Sequence, residues 1–268
     1  MRGYLRRPIE MNVDNLAQLL VTNGAADDLK AARMLIRRGR VTVNGKNAYD
    51  EEMPVNPDAA IKALCKPGEW ASRGGLKLEA ALLHFGVSPA DKVCLDLGCS
   101  TGGFTDVLLA YGAAKVHAVD VGYGVLDWVL RNHPRVAVHE RTNARFLTAE
   151  QVGESVDLIT ADLNHISLAV ALPAPAKLLV EGGAVLALVK PQFEIPKQWC
   201  VQPDWQGGVV KGDALRKRIL DYSVERLERE GLSCQGLFEC PVAGHKGNRE
   251  YFALLKPALA HAGKPPVI

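Results

Sequence analysis

No stretch of this 268-residue chain approaches the about 18 consecutive apolar residues that a membrane-spanning helix needs, so no spanning segment is expected. The opening residues, Met1 to Pro8, carry Arg2, Arg6 and Arg7, but no apolar segment follows them as it would in a secretory signal. Six cysteines (Cys65, Cys94, Cys99, Cys200, Cys234 and Cys240) never form a C-x-x-C pair. That spacing argues against a disulfide framework or a zinc site and for reduced thiols, so a cytoplasmic location is expected. The seven histidines show no H-x-x-x-H or H-x-H spacing, so no metal is expected either. Internal repeats are also missing.

What is present is an ordinary apolar share of 48% with 23% charged residues, and length enough for one large domain and a small one. The net charge of +2 is unevenly spread. Residues 1–46 hold nine Lys/Arg against Glu10, Asp14, Asp27 and Asp28, a local +5 that leaves −3 for the rest. A basic head on a near-neutral body suits an anionic polymer as partner.

Within that head, Leu16, Leu19 and Leu20 share a helical face that stops at Asn23-Gly24. Asp27 or Asp28 can cap a second helix running to Arg38, with Ala31, Met34 and Leu35 on its buried face. Lys30, Arg33 and Arg37, spaced i, i+3, i+7, form one solvent-facing basic stripe. Val41 to Lys46 reads as a strand entering an Asn-Gly hairpin turn. This module ends near Pro54–Pro57, and Lys66-Pro67-Gly68-Glu69-Trp70 reads as a linker. From about residue 72 the chain alternates helices (76–85, 102–111, about 124–131, 167–180, 213–230) with strands (92–98, 115–121, 136–140, 156–163, 184–190). Two closing strands, 234–241 and 250–256, look like a hairpin at a sheet edge. The alternation implies an α/β fold, a parallel Rossmann-like sheet with helices on both faces. The 191–212 connection, rich in proline and tryptophan with little periodicity, is long enough to read as a substrate contact or lid.

The most informative segment is Val93 to Phe104, an apolar run that ends in Asp96 and breaks at Gly98, Gly102 and Gly103 before a helix. Side-chain-free positions there let a ligand lie against the backbone, and the helix start supplies unpaired N–H groups. A second run, Val116 to Val121, contains Asp120, 22 residues after Gly98, where dinucleotide-type units place the carboxylate that grips a ribose diol. The G-x-x-x-G-G spacing departs from the pyrophosphate-binding pattern. S-adenosylmethionine, with a ribose but no phosphate, fits it better.

Ligands of open parallel sheets bind beyond the carboxyl ends of the strands. Charged residues at those ends are Asp96, Asp120, Asp162 and Lys190. A lysine closing a buried strand is costly unless it is paired or used. Glu250, opening the last strand, and Lys77 can complete two cations and two anions around one point. Methyl transfer to a hydroxyl needs alignment and a base, and a lysine serves if burial and a neighbouring cation lower its pKa.

The strings SRGGLKLEAAL (72–82), CLDLGCSTGGFTDVLL (94–109), VDVGYG (119–124), RTNAR (141–145), ADLNHISL (161–168), LVKPQFE (188–194) and GHKGNREYF (244–252) resemble the TlyA family over nearly the whole chain. These are haemolysin-A-named, FtsJ-like rRNA 2′-O-methyltransferases with an N-terminal RNA-binding domain of a ribosomal-protein type. The resemblance implies S-adenosyl-L-methionine as cofactor, rRNA or ribosomal subunits as partner, and a cytidine 2′-hydroxyl of 16S or 23S rRNA as target. It places a catalytic Lys-Asp-Lys-Glu tetrad on Lys77, Asp162, Lys190 and Glu250. Expected cofactor-binding residues are Asp96, Gly98, Ser100, Thr101, Gly102, Gly103, Phe104, Asp120, Val121 and Asn143. Expected RNA-binding residues are Lys30, Arg33, Arg37, Arg38, Arg40 and Lys46. The chain departs from the family at Asn164-His165 (Ser-Phe there), Val125 (Gln) and Asn12-Val13-Asp14 (Arg-Leu-Asp).

The resulting expectation is an RNA-binding domain over 1–65, a linker over 66–72, a methyltransferase domain over 73–256 and a loose tail over 257–268. Two competing readings are an RNA-binding or ribosome-assembly factor with a vestigial methyltransferase fold, and a membrane-active haemolysin.

Overall fold

The computed structural model describes residues 15–56, 58–66 and 69–258. The readings made on Arg2, Arg6 and Arg7, on Asn12-Val13-Asp14 and on the tail beyond residue 258 lie outside the described residues. The chain divides into two compact units, one ending at Glu69 and one beginning at Trp70.

In the first unit, Asn15 and Gln18 form a reciprocal capping box at the start of α1 (Leu16–Thr22). Asp28, not Asp27, caps α2 (Leu29–Arg37), accepting the Ala31 amide at 2.7 Å. The buried face of α2 carries Ala32, Leu35 and Ile36, with Ala31 and Met34 only half-buried. Strands β1 (Val41–Val43) and β2 (Lys46–Ala48) pair around Asn44-Gly45, both left-handed as the tight turn requires. A third strand, β3 (Ile61–Ala63), pairs with the other edge of β1. Three residues are too few to show an alternating pattern, so the sequence alone gave no sign of it.

The basic stripe on α2 needs correction. Lys30 and Arg33 are exposed, but Arg33 and Arg37 meet Glu51 at 3.0 and 2.7 Å, and Arg33 also meets Glu52 at 3.4 Å. Arg38 is buried and donates to the Glu69 carbonyl, so its guanidinium is not part of a solvent-facing surface. Helical spacing explains this: Arg38 follows Leu35 at i+3 on the apolar face.

The second unit runs α3 (Gly74–Phe85), β4 (Val93–Leu97), α4 (Gly103–Ala110), β5 (Lys115–Val119), α5 (Trp128–Arg131), β6 (Val136–His139), α6 (Ala149–Val152) and β7 (Val156–Ala161). It continues with α7 (Leu168–Ala171), α8 (Pro173–Ala176), β8 (Leu179–Val189), α9 (Pro191–Glu194), β9 (Trp205–Gln206), β10 (Val209–Val210), α10 (Asp213–Arg229), β11 (Leu232–Glu239) and β12 (Tyr251–Pro257). The central sheet has the order β11-β12-β8-β7-β4-β5-β6. Its five strands from β4 to β8 are parallel, while β12 is antiparallel to both β8 and β11. The closing hairpin therefore inserts its second strand against β8 and leaves its first at the edge.

Alternate residues of the parallel strands feed two cores. Leu95, Leu97, Ile159, Val185 and Ala187 lie in one, Cys94, Leu158, Leu186 and Leu188 in the other. Both faces are covered by helices, as βαβ crossovers demand. The helix expected over 167–180 is two single turns, because Pro173 and Pro175 lack the amide that a continuing helix needs. β8 then begins at Leu179, five residues earlier than the apolar run suggested. The helix expected around 124–131 is one turn capped by Asp127. In the 191–212 connection, Ile195, Trp199, Trp205 of β9 and Val210 of β10 pack with Leu215 and Ile219 of α10. Among the described residues, no helix is long and apolar enough to cross a membrane.

Candidate active site

The sheet order reverses between β4 and β7, and a cleft of about 740 Å³ opens beyond the carboxyl ends of these strands. One wall is the glycine turn after β4. Gly98 has φ of 79°, and a Cβ there would sit 2.5 Å from the Asp162 carbonyl oxygen, so only glycine lets the ends of β4 and β7 approach. A Cβ on Gly103 would fall 2.2 Å from the Ser72 hydroxyl, which explains how the 72–75 segment closes over the start of α4. The Ser100 amide donates to Asp120 Oδ2 at 2.8 Å and the Gly122 amide to Asp120 Oδ1 at 2.7 Å. Asp120 thus ties the two loops together from the end of β5. Each oxygen keeps a lone pair for a further donor. Ser100, Thr101, Phe104, Val121 and Asn143 line the same cleft; Asn143 also caps the turn after it through the Arg145 amide. Gly102, the left-handed N-cap of α4, faces Leu126 and Leu130.

Asp96 is a correction. It is fully buried, accepts from the Thr105 hydroxyl at 2.7 Å and the Thr160 hydroxyl at 3.1 Å, and does not reach the cleft. Burial pushes its pKa up to about 7. It braces β4 against α4 and β7 from behind. Burial also pushes the pKa of the Cys99 thiol up, which disfavours the thiolate.

Opposite the glycine turn stand two ion pairs. Lys77 Nζ, on α3, donates to Glu250 Oε2 at 2.6 Å. Glu250 is 2% exposed and lies under Gly244, where a Cβ would come within 2.0 Å of its carboxylate. Lys190, 6% exposed at the end of β8, contacts Asp162 Oδ1 and donates to Asn164 Oδ1 at 2.8 Å. The Asp162 contact lies outside hydrogen-bond geometry. Lys77, Asp162 and Lys190 all line the cleft, and Glu250 joins them through Lys77. The arrangement can hold a polar group between two ammonium ions whose carboxylates fix their positions.

Several lining residues are not among the expected site residues: Arg73, Thr142, the 242–245 loop, and His165, which the sequence marks only as a departure from the family. His165 has φ of 61° and its ring lies 4.7 Å from Phe193. Among these, the glycine pair at 74–75 beside Arg73 is the one signal that could have been followed.

Residues 70–256 match the model of the FtsJ-like methyltransferases. The chain belongs to that family. It is a methyltransferase, and the match spans the whole cleft. The chain is 44% identical over 238 residues to the 16S/23S rRNA (cytidine-2′-O)-methyltransferase TlyA of Mycobacterium tuberculosis, covering 88% of this chain and 87% of that one. Hemolysin A of Brachyspira hyodysenteriae is 34% identical over 239 residues, covering 89% and 98%. A solved hemolysin-named structure from Streptococcus thermophilus superposes with a TM-score of 0.67 at 34% identity, covering 91% of this chain and 88% of that one.

Proposed function

We propose that this methyltransferase moves a methyl group from S-adenosylmethionine to a ribose 2′-hydroxyl of ribosomal RNA, a cytidine of 16S or 23S rRNA as in the name of the M. tuberculosis relative. The observation that carries the reading is Lys190: a buried ammonium at a strand end, held by Asp162 and Asn164 inside the cleft.

The donor set suits the cofactor. Asp120 offers free lone pairs on both oxygens to a diol, and the backbone at Gly98 is bare enough for close approach. Bound there, S-adenosylmethionine supplies an electrophilic methyl carbon. Lys190, once deprotonated, takes the 2′-hydroxyl proton onto Nζ as the oxygen attacks. Asp162 and Asn164 aim that amine, and the Lys77–Glu250 pair anchors α3 to β12 on the far side of the substrate. The 72–75 segment and the 242–245 loop line the cleft around the reacting groups and limit the access of water.

The first unit contributes RNA affinity through Lys30, Arg33, Arg37, Arg40 and Lys46, contacting phosphates and shape more than base edges. A ribosomal substrate places the enzyme in the cytoplasm. The test is Lys190→Ala: ribose methylation of rRNA is lost while calorimetry shows S-adenosylmethionine binding near wild type. Wild-type turnover in that variant removes the base assignment. No S-adenosylmethionine binding by the wild-type protein would leave an RNA-binding factor with an idle fold.

A further inference from the structure

Glu194 is a buried carboxylate that touches no part of the cleft, being 3% exposed and absent from its lining. It lies at the end of α9, the single turn whose N-cap is Lys190. Its Oε2 accepts from the Ser167 hydroxyl at 2.6 Å and its Oε1 from the Leu168 amide at 2.7 Å. Ser167 and Leu168 begin α7, directly after the Asp162–His165 loop. Arg226, on α10, donates to the same Ser167 hydroxyl at 3.0 Å.

This bridge spans a gap that the sheet leaves open. Pairing between β7 and β8 stops at Ala161 opposite Ala187, before either Asp162 or Lys190. Beyond that point no further strand pairing joins β7 to β8 among the described residues, and side chains reach across instead. In the cleft these are the Lys190 contacts with Asp162 and Asn164, and at the rim His165 against Phe193. The rim contact is partly exposed, and the cleft contacts face the space that substrate enters. Glu194 forms a buried, doubly hydrogen-bonded join outside the cleft. Breaking it leaves the Leu168 amide without an acceptor and frees the Lys190 turn to shift.

We propose that Glu194 is a positioning residue that fixes the spacing between Asp162 and Lys190 by clamping the Lys190 turn to the start of α7. The inference rests on the reading of Lys190 as the base. A carboxylate serves better than an apolar side chain because it accepts from two donors on the neighbouring element at once, fixing both distance and angle. Burial raises the pKa of Glu194, while Ser167, Leu168 and Arg226 oppose that rise.

The test uses the full chain with ribosomal RNA and S-adenosylmethionine. It measures kcat, KM for both substrates, the S-adenosylmethionine Kd by calorimetry, and the thermal midpoint. Glu194→Ala should lower kcat about 100-fold, the scale on which a misplacement of about 1 Å acts, with the Kd within about twofold of wild type. Glu194→Gln keeps an acceptor for the Leu168 amide and should recover most of that kcat. Ser167→Ala should lower kcat less, again with Kd unchanged. A folded Glu194→Ala with wild-type kcat, or one that loses cofactor affinity instead of kcat, overturns the clamp. Should Glu194→Ala fail to fold, a wild-type kcat in Ser167→Ala overturns it equally. Lys190→Ala separates the two ideas. If it is inactive while Glu194→Ala is normal, only the clamp falls; if it turns over normally, the base falls and the clamp with it.

Discussion

Lys77 Nζ and Glu250 Oε2 stand 2.6 Å apart, 173 residues apart in the chain, and both side chains are largely buried. The pair fastens the first helix of the methyltransferase unit to the start of its last strand. Removing one partner of a buried pair strands the other charge, so Glu250→Ala should cost about 3 kcal/mol in urea unfolding. The double variant Lys77→Met, Glu250→Leu removes both charges and should regain most of that stability without regaining methylation. Recovery of activity in the double variant would show the pair to be purely structural.

Asp120 holds two loop amides and has lone pairs to spare. Asp120→Ala removes both acceptors and the proposed partner of the ribose diol. At about 1.5–3 kcal/mol per hydrogen bond to a charged group, S-adenosylmethionine affinity should fall at least tenfold in calorimetry. An unchanged Kd would move the cofactor elsewhere in the cleft.

Asp96 carries a pH signature. Its pKa rises from 3.8 to about 7 on folding, because burial disfavours the charge. The folded state therefore binds this proton more tightly than the unfolded state, and stability falls as pH rises from about 4 to about 7, then levels off. The span corresponds to at most about 4 kcal/mol at 1.36 kcal/mol per unit. Asp96→Asn should flatten this part of the stability profile and raise the midpoint at pH 8. A variant less stable than wild type at pH 8 would mean that the carboxylate is needed in its charged form.

Gly98→Ala places a methyl 2.5 Å from the Asp162 carbonyl oxygen on a backbone of positive φ. The nearest neighbour is backbone and not a flexible side chain, so a loss of at least about 1 kcal/mol is expected, together with a fall in kcat as Asp162 moves. Thermal melts and steady-state rates check both.

In the first unit, Lys30 and Lys46 are exposed and Arg38 is buried. Lys30→Ala and Lys46→Ala should each lower the slope of log affinity against log salt by roughly one for RNA, with little change in melting. Arg38→Ala should do the reverse, lowering the melting temperature and leaving the slope alone.

Local rules carried the sequence reading a long way. The β4 strand, glycine turn and α4 could be recognised because backbone freedom and apolar periodicity act over a few residues. The same holds for Asn44-Gly45 and for the cap at Asp28. Residues at the ends of strands, Asp120, Asp162 and Lys190, stand out in the sequence because chain order already places them beyond the sheet.

Other features depend on which face a residue turns to and what comes back from far along the chain. Asp96 and Asp120 both close apolar runs, yet one points into the helix-covered face and the other into the cleft. Both faces of a parallel sheet are apolar, so alternation cannot tell them apart. The inward turn of Arg38, the split at Pro173 and the meeting of Glu194 with Ser167 are likewise contacts between elements. The sequence by itself determined a glycine-turned parallel sheet with acids and a lysine at its strand ends, because those features follow from local backbone preference and order along the chain. Only the tertiary structure decided that Lys77 meets Glu250 and Lys190 meets Asp162, because such pairings depend on how far-separated elements pack.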